Sequence, residues 1–283
     1  MNVNAITKAA IVYDFDGTLS PGSMQQHSYL PEIGYDNPVD FWNEVKSETR
    51  SQDADEILVY MQMMINKSRD PVTRERLRFH GAGLPLFNGV SHWFDRMNRF
   101  AKERKIQLEH YVVSSGLREM IDGCSIRSEF TRVFASGFAY DEFGKAVWPS
   151  VAVNYTNKTQ FLFPINKGID NAWDNAAINQ WVPMAERAIP FERMIFIGDG
   201  DTDIPSMKMV RHQGGCAIAV FDPSEWQKEA TQNKIGRLIA EDRANYVVPA
   251  DYSEGEQLDV TVRGVLGRIA REVGYRPEAV KAG

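Results

Sequence analysis

Asp14 and Asp16 belong to the stretch Asp14-Phe15-Asp16-Gly17-Thr18, which directly follows an apolar run at residues 9–13. In an extended segment alternate side chains share a face, so the two carboxylates point one way while Phe15 turns toward the core. Gly17 and Thr18 then let the backbone turn away without covering them. Paired acids at the end of a buried strand suit phosphoryl transfer, although an Asp-x-Asp-Gly stretch is also ordinary turn chemistry.

Three further clusters add to this chemistry. Ser114-Ser115-Gly116 follows the run His110-Tyr111-Val112-Val113 and precedes a helical stretch from Leu117. A hydroxyl and free backbone N–H groups at a helix start cradle phosphate, and a plain helix cap by Ser114 or Ser115 is the competing reading. Lys167-Gly168 precedes a helix-compatible stretch from Ile169, where an ammonium would balance a carboxylate and a phosphate. Lys158 competes for that role, and Lys167 is favoured because Gly168 and the helix behind it give it a fixed approach. Asp199, Asp201 and Asp203 lie on a glycine-rich turn after residues 194–197. Such a turn suits a hard, oxygen-loving cation such as Mg2+, or is simply a solvated acidic loop.

The elements that must position these clusters are strand-like runs at residues 11–13, 111–113, 194–197 and 217–220, separated by helical stretches. This alternation predicts a mostly parallel α/β sheet. In open sheets of this kind ligands bind beyond the carboxyl ends of strands, where the clusters would converge. Between residues 20 and 84 the pattern becomes helical, with Phe41, Trp42, Val45, Ile57, Leu58, Met61, Met64 and Ile65 at helical spacing. Pro38 and Pro71 sit where first turns would begin, and Gly81 and Gly83 mark the way out. Val90, Trp93, Phe94, Met97 and Phe100 form the stripe of a helix packed on the sheet. Residues 132–148 read as a hairpin turning near Gly144. After Pro223 come a helix near residues 224–235, a strand at 246–248 and an amphipathic final helix, to which no chemistry is assigned beyond closing the sheet edge.

At 283 residues, 43% apolar and 25% charged, the chain can bury one sizeable core and a smaller domain. Its net charge of −6 and dispersed acidic residues disfavour a general nucleic-acid-binding surface. Cys124 and Cys216 are far apart, which argues against disulfides and structural zinc, and both read as buried apolar residues. No apolar run is long enough to span a bilayer and no signal-peptide core precedes Asp14, so a soluble, cytoplasmic protein without membrane partners is expected.

Taken in order, the four clusters resemble the motifs of the haloacid dehalogenase-like hydrolases, phosphatase branch. Asp14 and Asp16 match the first motif, Ser114 the second, Lys167 the third, and Asp199 with Asp203 the fourth. The resemblance covers residues 8–19 and 86–222. It implies a Rossmann-like three-layer core, residues 1–19 and 85–283, and a small helical cap at residues 20–84. The placement of that cap is similar to the one in phosphoserine phosphatases. It also implies roles. Asp14 would attack phosphorus to form an aspartyl-phosphate, and Asp16 would protonate the leaving alkoxide and later deprotonate water. Mg2+ would be held by the Asp14 carboxylate, the Asp16 backbone carbonyl and Asp199. Ser114, the Ser115 amide and Lys167 would hold the phosphate, and Asp203 would orient water or the lysine.

An acid at Asp16 favours a phosphatase over a dehalogenase, because a halide needs no proton and an alkoxide does. A phosphotransferase or phosphomutase uses the same two aspartates, and a phosphate-binding module without turnover is the other alternative. The implied partner is a small phosphorylated metabolite. Phosphoserine is disfavoured, since Ser23 stands where phosphoserine phosphatases carry a glutamate that binds the substrate amine. Met24, Gln25 and His27 neighbour that position, and His27 reads as packing in the cap. Thr202 replaces a common asparagine. Arg118 could reach a second anionic group on the substrate, and plain solvation is the equal alternative.

Overall fold

The computed structural model describes residues 7–200 and 202–276. A seven-stranded sheet is built from β1 (Thr7–Tyr13), β2 (Ile106–Leu117), β3 (Arg132–Tyr140), β4 (Ala146–Val151), β5 (Met194–Gly198), β6 (Cys216–Phe221) and β7 (Tyr246–Pro249). Their order is β4-β3-β2-β1-β5-β6-β7, parallel throughout except for β4. The antiparallel β3–β4 pair is the expected hairpin, and Gly144 adopts φ +77° in its turn.

Because β1 is central, both of its faces are covered, and its side chains divide between two cores. Ala9, Ile11 and Tyr13 enter one, beneath α5 (Val90–Lys102) and α11 (Gln257–Glu272). On the other face, Ala10 and Val12 meet α7 (Leu162–Lys167), α9 (Ile204–His212) and α10 (Glu229–Ala240). The result is a three-layer, Rossmann-like α/β fold. The shorter helices α6 (Arg118–Gly123) and α8 (Asn175–Asn179) follow β2 and α7.

Between β1 and α5 lies a helical insertion of α1 (Tyr29–Glu32), α2 (Pro38–Gln52), α3 (Glu56–Lys67) and α4 (Arg74–Ala82). Asn37 caps α2 with Pro38 in its first turn, and Thr73 caps α4, leaving Pro71 outside that helix. The chain returns close to where it left, since the Phe87 N–H donates to the Leu19 carbonyl at 3.0 Å. Met61, Met63 and Met64 are buried and fill this unit's interior. The insertion is also tied to the core through the Ala146 N–H on the Val72 carbonyl, 2.7 Å, and the Tyr60 hydroxyl on the Ser115 carbonyl, 2.8 Å.

Two expectations about helices fail. The stretch beginning at Ile169 does not start a helix after Gly168; α7 ends there instead, with Gly168 as a left-handed C-cap at φ +72°. The helix after Pro223 runs from Glu229 to Ala240 and covers the loop after β5 rather than only the sheet edge. The strand near residue 246 is β7, and the last helix is α11.

Candidate active site

Strand register determines what meets at the centre of the sheet. Tyr13, the last residue of β1, pairs with Val112 of β2 and with Ile197 of β5, so the three adjacent strands are in step at this level, with β5 ending one residue later and β2 running on to Leu117. Just past that level come Asp14, Ser114 and Asp199, one from each strand's path, with Ser114 still within β2. The Asp14 N–H still bonds the Ile197 carbonyl, 2.9 Å, which holds the first acid in line with β5.

Asp14, Asp199 and Asp203 each present a carboxylate oxygen within 4.8 Å of the others. Asp14 and Asp203 are buried. Asp203 begins α9 and turns back under the loop so closely that a Cβ at Gly198 would lie 2.2 Å from its Oδ2. Only glycine fits there. Asp201 lies outside the described residues.

The cation among these acids is Lys158. Its ammonium, fully buried, lies 3.0 Å from Asp14 Oδ2 and 2.5 Å from Asp203 Oδ1. The expected Lys167 is elsewhere: it donates to the carbonyls of Ile178 and Gln180 at the end of α8. That is the usual work of a lysine near the last turn of a helix. A short helical turn at Lys158–Phe161 brings this lysine to the acids, and Asn154 and Asn157 build its approach by side-chain bonds to each other's backbone. Spacing could have found it. Lys158, Leu162, Ile165 and Asn166 are all buried on one helical face, and Lys167 falls off that face.

Asp16 is held by the Met24 N–H at 2.9 Å on Oδ1, while its Oδ2 lies toward Gly116. Ser114 is buried and its Oγ accepts from the Gly116 N–H at 3.0 Å. Ser115 is partly exposed and its carbonyl takes the Tyr60 hydroxyl. Met24 packs on this turn, its sulfur accepting from the Leu117 N–H. Ser23 and His27 bond locally, to Gln26 and the Pro21 carbonyl. Arg118 is partly exposed, 3.8 Å from the buried carboxylate of Glu119. Lys234 of α10, which no local motif marks, places its ammonium 3.1 Å from Asp199 Oδ2.

Burial pushes the Asp14 carboxyl up to about 7; Lys158 opposes this, and Asp203 and Asp199 add to it. Asp16 is also raised well above the usual carboxylate range, by burial first and by the charge of Asp14 second. Asp199 is raised by burial against the pull of Lys234. Burial works against the charge of Lys158, but Asp14 and Asp203 outweigh it and hold the ammonium protonated. A set of crowded, partly neutralised oxygen donors of this kind fits a small divalent cation, whose charge would return the acids to their anionic forms.

The haloacid dehalogenase-like hydrolase model matches residues 11–208. The chain belongs to that family. A protein of Borreliella burgdorferi described as uncharacterized is 32% identical over 279 residues, covering 88% of this chain and 93% of its own. Among solved structures, the fold is similar to a probable phosphoserine phosphatase from Vibrio cholerae, with a TM-score of 0.57 and 15% identity over 95% of this chain and 67% of that one. It is also similar to a phospho-aspartyl intermediate analogue of phosphoserine phosphatase, with a TM-score of 0.53 and 16% identity over 91% of this chain and 99% of that one. Members of this family generally use a divalent metal, and the Asp14, Asp199 and Asp203 carboxylates form a cluster that could bind one.

Proposed function

We propose that the protein is a Mg2+-dependent phosphatase that hydrolyses a small-molecule phosphomonoester through an aspartyl-phosphate on Asp14. The observation that carries this reading is the buried Asp14–Lys158–Asp203 arrangement beside Asp199. Asp14, Asp199 and the Asp16 backbone carbonyl would hold the Mg2+. When bound, it supplies charge neutralisation for the transferred group.

Asp14 attacks phosphorus and the bond to the leaving oxygen breaks, while Asp16, whose affinity for a proton is raised by burial and by the charge of Asp14, gives that oxygen its proton. Water then attacks the acyl-phosphate, Asp16 takes the water's proton, and the phosphorus–Asp14 bond breaks to regenerate both acids. Lys158, in place of Lys167, holds phosphate oxygens together with Ser114 and the Ser115 amide. Asp203 keeps Lys158 aimed.

Residues 20–84 act as the cap in this reading. Met24 and Tyr60 bring it against the Ser114–Leu117 turn, where the leaving group would lie. With Ser23 in place of a glutamate, an alcohol other than serine is the better fit. Buried free thiols at Cys124 and Cys216 suit a reducing, cytoplasmic setting. No helix among the described residues is long and apolar enough to cross a membrane.

The test is phosphate release from p-nitrophenyl phosphate and from a panel of phosphorylated metabolites with Mg2+. Turnover that disappears in Asp14→Asn supports the reading. Phosphate appearing on an added alcohol faster than on water would make the protein a phosphotransferase, and binding without turnover would make it a phosphate-binding module.

A further inference from the structure

Lys234 comes from α10, beyond the part of the chain that carries the four motifs, yet its ammonium is 3.1 Å from Asp199 Oδ2. Both side chains are partly exposed at the rim of the site, at 24% and 31%. One turn along α10, Leu238 is buried against the loop after β5. A Cβ at Gly200 would lie 3.3 Å from Leu238 and 3.6 Å from the Lys234 Cε. Leu238 thus seats the helix on the glycine turn, and the seating sets how far Lys234 reaches.

We propose that Lys234 is a positioning residue that engages one oxygen of Asp199, leaves the other for the cation, and thereby selects Mg2+ over Ca2+. This rests on the metal site described under the proposed function. The chemistry is direct. Mg2+ takes one oxygen per carboxylate in a tight octahedral shell, whereas Ca2+ is larger and readily takes both oxygens of a carboxylate. An ammonium on Oδ2 blocks the two-oxygen mode. It also opposes any divalent ion by its charge, so a change in affinity alone would not identify the role; the ratio of the two metals does.

The experiment is calorimetric titration of the full-length protein with Mg2+ alone and with Ca2+ alone. It is run on wild type, Lys234→Met, Lys234→Arg and Lys228→Met, the last removing an exposed charge paired with Glu225. Lys234→Met should shift the ratio of Ca2+ to Mg2+ affinity at least fivefold toward Ca2+. Lys234→Arg, which keeps a donor on Oδ2, should stay within twofold of wild type, as should Lys228→Met. Lys234→Leu, also run and likewise without a donor, should shift the ratio in the same direction and covers the case in which Lys234→Met does not fold. Equal gains for both metals in Lys234→Met, or an unchanged ratio, overturn the proposal and leave the phosphatase reading standing. Failure of wild type to bind either cation removes the metal site and this proposal together.

Discussion

Lys158 and Asp14 form a buried ion pair of 3.0 Å between a short turn and the end of the central strand. Removing one member of a buried pair leaves the other charge uncompensated, which typically costs about 3–5 kcal/mol. Lys158→Met should therefore lower stability by about that much in urea denaturation without added metal. It should also reduce Mg2+-dependent phosphate release by about 10²-fold or more, the scale for loss of one preorganised donor. Lys167→Met should leave activity within about twofold, because that lysine only bonds carbonyls at the surface end of α8. A reversed pattern would return the role to Lys167.

The contrast between these two lysines shows what sequence could and could not say. The strand ends at Asp14, Ser114 and Asp199 were legible because apolar runs followed by acids or glycine are local signals. Choosing the lysine required knowing that Gly168 ends a helix rather than preceding one, which depends on which face of α7 is buried. Lys234 was illegible for a different reason. Nothing in residues 229–240 marks chemistry, and its part arises only because Leu238 seats α10 on a distant loop.

The helical insertion is held to the core by an unusually close helix crossing. A Cβ at Gly81 would lie 1.9 Å from the Met120 carbonyl oxygen, and one at Gly123 would lie 2.0 Å from that of Arg78. The two backbones are in reciprocal contact, so α4 cannot slide on α6 without losing it. Gly81→Ala and Gly123→Ala should each destabilise by about 1–3 kcal/mol, the range for forced overpacking. Gly83→Ala, whose Cβ would meet nothing nearer than 4.0 Å, should change stability by about 0.5 kcal/mol or less. Thermal melts check the ranking. Hydrogen exchange should show faster opening of α4 in the first two variants and not in the third.

His110 makes stability depend on pH. The Trp93 indole N–H donates to the Tyr13 oxygen at 2.8 Å, the Tyr13 hydroxyl donates to His110 Nδ1 at 2.9 Å, and His110 Nε2–H points to Asn98 Oδ1 at 3.1 Å. This chain requires a neutral imidazole, and burial lowers the His110 pKa from 6.5 to about 3. Below 6.5 the unfolded chain therefore binds a proton that the folded one refuses. Stability from this group is full above that pH and falls as pH drops, by up to about 1.4 kcal/mol per pH unit until the folded value is reached. His110→Gln, which cannot titrate, should flatten the urea-derived stability profile by about that slope between pH 6 and 4. Nitrogen NMR at pH 5 should show His110 neutral with its proton on Nε2; a charged ring there would refute the account.

Asp16 offers a way to separate acid catalysis from simple placement. Burial and the neighbouring Asp14 raise the pKa of its carboxyl proton well above the usual range, and the Met24 N–H donates to Oδ1. An alkoxide leaving group needs that proton badly, whereas p-nitrophenolate leaves with little help. Asp16→Asn should thus lower turnover of an alkyl phosphate by about 10²–10⁴-fold, the usual share of general acid catalysis. Its effect on the first step with p-nitrophenyl phosphate should be much smaller. Asparagine cannot accept the water proton either, so the second step should stall. Rapid mixing should then show a burst of nitrophenolate approaching one equivalent of enzyme, with phosphate covalently on Asp14 by mass spectrometry. Equal losses on both substrates, without a burst, would mean that Asp16 merely shapes the loop.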